Sequence, residues 1–478
     1  MTRDMTQGNI TGHMLSYAVP LVFGNLFQQL YHTVDSVVVG QFNGKEALAT
    51  IGAAGPVMNI LIFLIVGISM GSSILMAEYF GAKDYESLRK EMATSLTAGF
   101  LLTAVLTVVS VCGSGLFVRL TRTPAEIAPL AADYLRIVSA GLFFTFLYNI
   151  LAAGLRAVGD SKAPLYVLIF TTAVNVVLDL LLVGVLGMGV CGAAIATVSA
   201  QAASALALLG CLFFRARFLW VPLSEMRIER KFLKKTIDYS SVSALQQTML
   251  YLGRLLVQSG VNSLGVDAVA AFNAVSIADS YILAPGDSLA ASMTTFAAQN
   301  NGAGTRDRIG KGLKTMLCIA ELYVCLAAVI VFTQSRWILG IFLKPQETSA
   351  LAFGLSYLLP MSWGYILTGI TNTFQGYFRG IGNLKITLWA TLIQIPIRVT
   401  VTYLLLGALG LQAVAVGTII GWICMAVLQY FCCRIWGIHE TGSYRFCCIL
   451  PPKKVKSSLL SYLKRIFFAL ILRRLEYI

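Results

Sequence analysis

The 478-residue chain is poor in charge, in histidine and in catalytic motifs. Asp, Glu, Lys and Arg together make up 12% of it, against about 25% in soluble globular proteins. That shortfall excludes a well-solvated soluble domain. Its three histidines, His13, His32 and His439, are too few and too widely spaced for a histidine-based metal enzyme. No GxxxxGK[ST] stretch occurs, so no loop of that kind cradles the phosphates of ATP. The ten cysteines contain no CxxC. The adjacent pairs Cys432–Cys433 and Cys447–Cys448 have no histidines at metal spacing and read as apolar fillers or cytosolic thiols. A cleavable signal is not expected: residues 1–13 are polar, and the apolar run after them is too long for a signal core.

What the chain has instead is hydrophobic length. Apolar residues make up 57%, grouped in stretches of about 20, the length that crosses a bilayer as a helix. The pattern predicts an all-α polytopic membrane protein with twelve spans. These cover roughly 14–40, 47–76, 93–117, 130–153, 164–186, 190–213, 237–260, 268–297, 314–333, 349–372, 386–408 and 412–436. Arg254, Asp279 and Asp287 interrupt the seventh and eighth. The net charge of +14 sorts by side. With both termini on one side, 28 Lys and Arg fall there, 5 fall on the other side, and Arg136, Arg254 and Arg398 lie within spans. The positive-inside rule then puts both termini in the cytoplasm. The basic balance reflects topology and not nucleic-acid binding.

The second half echoes the first. The stretch NILAAGLRAVGDSK (149–162) returns as NTFQGYFRGIGNLK (372–385), and LLLVGVLG (180–187) as YLLLGALG (403–410), both at an offset of 223. FGAKDYESLRK (80–90) returns as NGAGTRDRIGK (301–311) at 221. A repeat of six spans keeps its membrane orientation, so the halves are expected to be parallel repeats around a central cleft. The expected organisation is a first lobe at 1–213, a basic linker at 214–236, a second lobe at 237–440 and a basic tail at 441–478. The tail reads equally as a helix on the inner leaflet or as a solvated segment. This two-lobed plan suits a transporter.

Asp35 stands in the first span, inside QQLYHTVDSVVVG (28–40). A charge at the bilayer centre costs about 2.5–3.5 kcal/mol on insertion scales. Span 5 adds Asn175 and Asp179, which share a face at i,i+4 spacing. Thr197 enters from span 6. Counted from the span ends, all four lie roughly 7–10 Å below the same surface. Two carboxylates without a basic neighbour must hold a hard cation such as Na+ or keep a proton. The second lobe does not repeat the set: Asn175, Asp179 and Thr197 align with Arg398, Thr402 and Ile420, and Asp35 with Leu256. His32 reads as a hydrogen-bonded residue or a member of a proton relay. Buried pairing is expected to account for most of Arg254, Asp279, Asp287, Glu321 and Arg398, with a substrate or proton role as the alternative. Pro20 removes one helix hydrogen bond and should kink span 1.

VDSVVVG in span 1, LRAVGDSK after span 4, NVVLD in span 5 and the two six-span halves resemble the MATE (multidrug and toxic compound extrusion) family over about residues 8–440. The bacterial DinF-type branch is the nearest likeness. The resemblance implies export of amphipathic, cationic compounds from the cell in exchange for H+ or Na+. It assigns the coupling ion to Asp35, Asn175, Asp179 and Thr197, which would be metal ligands only for Na+. It matches Pro20 to a hinge, and Gln28, Tyr31 and Asn149 to the first-lobe cavity. It further implies a multi-pass protein of the bacterial cell membrane, acting as a monomer without an enzymatic activity or an organic cofactor. The competing readings are a flippase for a lipid-linked or cell-wall precursor, which would show a cationic cleft, and a membrane enzyme or passive channel, which would need a continuous polar path.

Overall fold

A computed structural model describes residues 2–440 except residues 122 and 345, without the side chains of residues 31–41, 43–45, 48, 223 and 435–440. The expected tail lies outside the described residues. These are helical throughout, with no strand among them. The helices are α1 (Ile10–Gly81), α2 (Tyr85–Leu120), α3 (Ala128–Ala140), α4 (Leu142–Ala157), α5 (Lys162–Asp179), α6 (Gly189–Arg215) and α7 (Arg230–Asn262). They continue as α8 (Val266–Gly302), α9 (Arg306–Gly340), α10 (Thr348–Gly364), α11 (Ile366–Gly380), α12 (Leu384–Leu409) and α13 (Gln412–Glu440). Residues 1–430 form one compact unit, and the described part of the other unit is the end of α13.

Spans 1 and 2 are not separate helices. The 72 residues of α1 would extend about 108 Å if straight. Yet the Met5 amide just ahead of it donates to Gln299 Oε1 at 2.9 Å, while Gly81 at its far end lies against the Gln299 carbonyl. The helix therefore doubles back, giving two apolar legs, Ile10–Leu30 and Ala49–Gly81. It runs through Pro20 and Pro56 without interruption. Among the described residues, nine stretches are long and apolar enough to span, and two bent pairs bring the total to eleven. α7, the expected seventh span, is the one too polar to be counted with them. Exposed apolar side chains such as Leu101, Val105, Val108, Leu322, Leu326 and Val329 cover the outward faces, as lipid contact requires.

The repeat is visible in the backbone. α3 and α4 meet at 43°, α10 and α11 at 54°; the first break is at Gly141 and the second at Tyr365, next to Gly364, the counterpart of Gly141 at an offset of 223. Gly159 and Gly382 share a positive φ of 84° and 78°. Lys83, the single non-glycine residue with positive φ among those described, has φ 57° where its repeat counterpart Gly304 has 72°. A pseudo-twofold relation shows where the lobes cross: Gly81 lies on the Gln299 carbonyl, and its counterpart Gly302 lies on the Glu78 carbonyl.

At the end carrying the N-terminus the lobes are locked together. Gly67 and Gly71 of α1 face Ala244 and Ser240 of α7 so closely that a methyl on Gly71 would sit 2.5 Å from Ser240 Cα. This is small-xxx-small packing on both partners, which brings helix backbones into contact. Around it, Ser240 Oγ donates to the Ile68 carbonyl at 2.9 Å, and Ser292 Oγ donates to the Met14 carbonyl at 3.0 Å. Thr236 Oγ1 donates to the buried carboxylate of Glu91 at 2.8 Å. Gln299 accepts from Met5 and donates to the Ala157 carbonyl at 2.8 Å. Further along, the contacts thin to Asn25–Ser288 at 3.0 Å and Asn59–Tyr251 at 3.2 Å. Beyond them Gly52 and Gly55 face open space. The described contacts thus hold the two lobes together at the N-terminal end.

The expected linker is shorter than 214–236, since α6 runs to Arg215 and α7 starts at Arg230. It is anchored by buried Leu219 and Val221, by Phe218 stacked on Phe80, and by an Arg89–Glu225 ion pair of 2.6 Å. Its apolar residues hold the segment against the bundle despite its basic charge.

Candidate ion-coupling site in the first lobe

α5 carries Asn175 and Asp179 one turn apart, each only 1% exposed. Among the described residues, both polar atoms of the Asn175 amide are buried without a hydrogen-bond partner, a state that costs about 1–3 kcal/mol.

Two contacts fix the register of α1 on α5. Gly24 meets Leu165 and Leu168, and Gly184, just past α5, meets the ring of Phe42. The two helices therefore run in the same direction and in step, which puts residue 35 level with residue 177, between Asn175 and Asp179. The side chains of Asp35, His32 and Tyr31 lie outside those described. α6 returns antiparallel: Gly192 approaches the Leu182 carbonyl, so Thr197 is also level with residue 177. Thr197 is half-buried. By this register the backbones of residues 35, 175, 179 and 197 stand at about the same level of the first lobe. Above it, buried Ala47, Val183, Val190 and Ala193 form a small apolar cap.

Sequence reasoning missed the turn that follows the site. Immediately after Asp179 the helix widens to a π-helical segment, Leu180–Val185, which ends at Gly187 and Gly189 with φ 63° and 60°. π-Helical turns are rare and concentrate at functional positions. The glycine-rich run GVLGMG (184–189) was the available signal. Carboxylate, amide and hydroxyl oxygens at one buried level form a donor set for a hard cation, or a place to keep a proton.

The remaining first-lobe candidates are dispersed. Pro20 is buried and Gln28 is exposed, both on α1. The Asn149 amide bonds its own helix, Nδ2 to the Thr145 carbonyl at 2.8 Å. Arg136 pairs with Asp133 at 2.8 Å, near the start of span 4.

The second lobe departs from expectation. Among the described residues the charges of its spans, Arg254, Asp279, Asp287, Glu321 and Arg398, form no ion pairs. Asp279 instead accepts hydrogen bonds from Tyr357, at 2.7 Å, and from Tyr365. Asp287 accepts from Asn372 Nδ2 at 3.2 Å. Below them Gln246 bonds Gln375 and Thr391 at 3.0 and 2.9 Å and accepts from Arg379 at 3.2 Å. Tyrosine hydroxyls and amides satisfy these carboxylates, and such partners carry no charge signature in a sequence.

A family model described as MatE matches the chain twice, over residues 20–181 and 243–404, spaced as the internal repeat is. The probable multidrug resistance protein YoeA of Bacillus subtilis is 31% identical over 83% of this chain and 86% of its own length. An FAD transporter of Shewanella oneidensis is 26% identical over 82% of this chain and 88% of its own length. A crystal structure of MATE in complex with MaL6 shares the fold at TM-score 0.86 and 23% identity, covering 92% of this chain and all of that one (100%). The outward-facing conformation of a MATE transporter does so at TM-score 0.84 and 22% identity, covering 91% and 97%.

Proposed function

The chain belongs to the MatE family, and on that premise we propose that it is a secondary active antiporter. It exports amphipathic organic compounds bearing a positive charge, in exchange for H+ or Na+, by alternating access. The observation that carries this reading is Asn175: an amide buried with both polar atoms unpartnered, one turn from buried Asp179 and level with residue 35 and Thr197. A proton on a carboxylate, or a bound Na+, would supply partners that the described residues do not.

The charge asymmetry supports a cytoplasmic N-terminal end, so the contacts that hold the lobes together there act as the inner closure. An ion entering from outside reaches the first-lobe site along α1. Asp35 and Asp179 hold it, Asn175 and Thr197 complete its shell, and the doubled α1 links the site to the locked inner contacts. Substrate leaves on the outer side, and the inner contacts then part for the next load.

The test is ethidium efflux from proteoliposomes under separately imposed H+ and Na+ gradients. Wild type should be driven by one of them, and Asp35→Asn and Asp179→Asn should abolish that drive. Transport by both variants at the wild-type rate would make the site structural. The reading as a flippase for a lipid-linked or cell-wall precursor draws on Arg254 and Arg398 in the second lobe, and on the FAD transporter among the relatives. It requires movement of an anionic amphipath.

A further inference from the structure

Glu91 is a carboxylate that neither the ion site nor a salt bridge uses. It stands near the start of α2, at the end carrying the N-terminus and ahead of the expected span 93–117, and it is fully buried, at 0% exposure. Its Oε1 accepts from Thr236 Oγ1 of α7 at 2.8 Å and from Ser95 Oγ at 3.0 Å. Ser95 Oγ also lies 3.0 Å from Ser72 Oγ of α1. Ser72 in turn shares the Ile68 carbonyl with Ser240 of α7. Thr236 and Ser240 belong to the second lobe, and Glu91, Ser95 and Ser72 to the first. This run of hydroxyls therefore crosses the lobe boundary twice, with the carboxyl at one crossing.

The other oxygen, Oε2, is buried without a hydrogen-bond partner among the described residues. No described cation closes on the group. On its own helix, Lys90 is taken by Glu86 at 2.7 Å and lies 3.9 Å from Glu229, and Arg89 is taken by Glu225. On α7, Lys235 is in electrostatic reach, but its Nζ donates to Tyr79 Oη at 3.4 Å and stands 5.6 Å over that ring. On α1, the neighbouring titratable groups are Tyr79 and Glu78, which bring no positive charge. Burial penalises an ionised carboxylate with hydroxyl donors on one oxygen, none on the other and no paired cation. It penalises the neutral acid far less.

The other half of the repeat shows that the packing does not need this acid. At the offset of 221, Ser72, Glu91 and Ser95 fall on Met293, Gly312 and Met316. Met293 and Met316 are fully buried, and a methyl on Gly312 would meet the Phe296 ring and Met14 of the first lobe. The equivalent crossing is apolar, so the carboxyl and its hydroxyls are an addition to the frame.

We propose that Glu91 is a proton-binding site of the inner closure, separate from the first-lobe ion site: it is neutral while the lobes are shut and releases its proton to cytoplasmic water when they part. The shut form binds that proton more tightly than the hydrated, parted form. Closure is therefore strongest at low pH and weakens as pH rises through the value at which the buried acid ionises. In a proton-driven exchanger an acidified cytoplasm would then hold the inner side shut. The site goes beyond the antiporter reading and does not depend on it, since its readout needs neither substrate nor gradient.

The test is a spin-label distance across the inner end, measured by double electron–electron resonance on purified protein in nanodiscs. The labels go on Lys162→Cys at the start of α5 and Asp307→Cys at the start of α9, both exposed, in a background with the ten native cysteines replaced. With Glu91 in place, a short distance should dominate at pH 6 and a longer population should grow at pH 8.5. The ratio of parted to shut protein should rise about tenfold, the effect of one carboxyl whose two environments differ by about one pH unit. Glu91→Gln, a permanently neutral near-isostere, should give the short distance at both pH values, which also shows that the variant is folded. Thr236→Val, which removes the second-lobe donor, should enlarge the longer population at both. An unchanged distribution between pH 6 and pH 8.5 with Glu91 in place would overturn the proposal, as would a pH response in Glu91→Gln equal to that of the parent.

Discussion

The inner closure makes a sharp quantitative prediction at Gly71. A methyl added there would lie 2.5 Å from Ser240 Cα, 2.5 Å from its backbone nitrogen and 2.7 Å from its Oγ, whereas ordinary contact begins at 3.4 Å. Two of these atoms are backbone, so no rotamer relieves the overlap and the helices must part by about 1 Å. Overpacking of this kind costs about 1–3 kcal/mol. Parting also stretches the Ser240–Ile68 hydrogen bond, worth about 1 kcal/mol. The cost of about 3 kcal/mol falls on the inner-closed conformation alone, and at 1.4 kcal/mol per decade it shifts the balance about 100-fold towards opening. The reporter is Ser292→Cys, in a background with the ten native cysteines replaced. Ser292 is fully buried against Met14 across the lobe boundary. In everted vesicles an impermeant maleimide should leave this thiol unmodified, and Gly71→Ala should raise its labelling rate at least about tenfold. Gly210→Ala, where a methyl meets open space, should change nothing. If Gly71→Ala leaves the thiol as protected as before, the Gly67–Gly71 contact is not what holds the lobes shut.

Two further tests address the same end of the molecule. Gln299→Leu strands the Met5 amide and the Ala157 carbonyl, each at about 1–3 kcal/mol; the thermal midpoint should fall and trypsin should cut after Arg3 sooner, and an unchanged digestion rate would remove Gln299 from the closure. Asp84 caps α2 by accepting from the Ser87 amide at 3.0 Å, and hydrogen bonding from the Ser87 hydroxyl and amide holds its carboxyl below the usual aspartate value. Its stabilisation is therefore present above the ordinary carboxylate pKa and lost as pH falls through the depressed one. Asp84→Ala should cost about 1 kcal/mol at neutral pH and little at pH 3, measured by thermal unfolding in detergent at both.

The parts of this fold legible in the sequence were those that depend on composition and period. Apolar length announced the spans, and the repeat at 149–162 and 372–385 announced the two halves. The i,i+4 spacing put Asn175 and Asp179 on one face without any tertiary information. What stayed hidden depends on pairwise geometry. Gly67 and Gly71 read as two glycines among 42, because their role needs Ser240 and Ala244 on a helix about 170 residues away. The widened turn after Asp179 is a departure in hydrogen bonding, which apolar residues such as Leu180 and Leu181 do not encode. The tyrosines that hold Asp279 lie on α10 and just beyond it, so counting acids against bases pointed to Arg254 and Arg398 as its partners instead.

The pseudo-twofold relation makes the remaining difference between the lobes informative. The crossings at Gly81 and Gly302 match, and so, within one residue, do the bends at Gly141 and Tyr365. Yet Asn175 and Asp179 correspond to Arg398 and Thr402. The frame is symmetric and the interiors are not. Asn175 gives this an energetic consequence. If its amide served packing, replacing it with the near-isosteric Leu would remove native interactions and lower stability. With both polar atoms buried and unpartnered, the amide is instead a burden of about 1–3 kcal/mol in the ion-free protein, and Asn175→Leu should raise the unfolding temperature in ion-poor buffer. The same substitution should abolish gradient-driven efflux, because the coupling ion loses an oxygen ligand or a proton-bond partner. Stability and transport moving in opposite directions is the signature of a binding site. A fall in both would assign Asn175 to the scaffold.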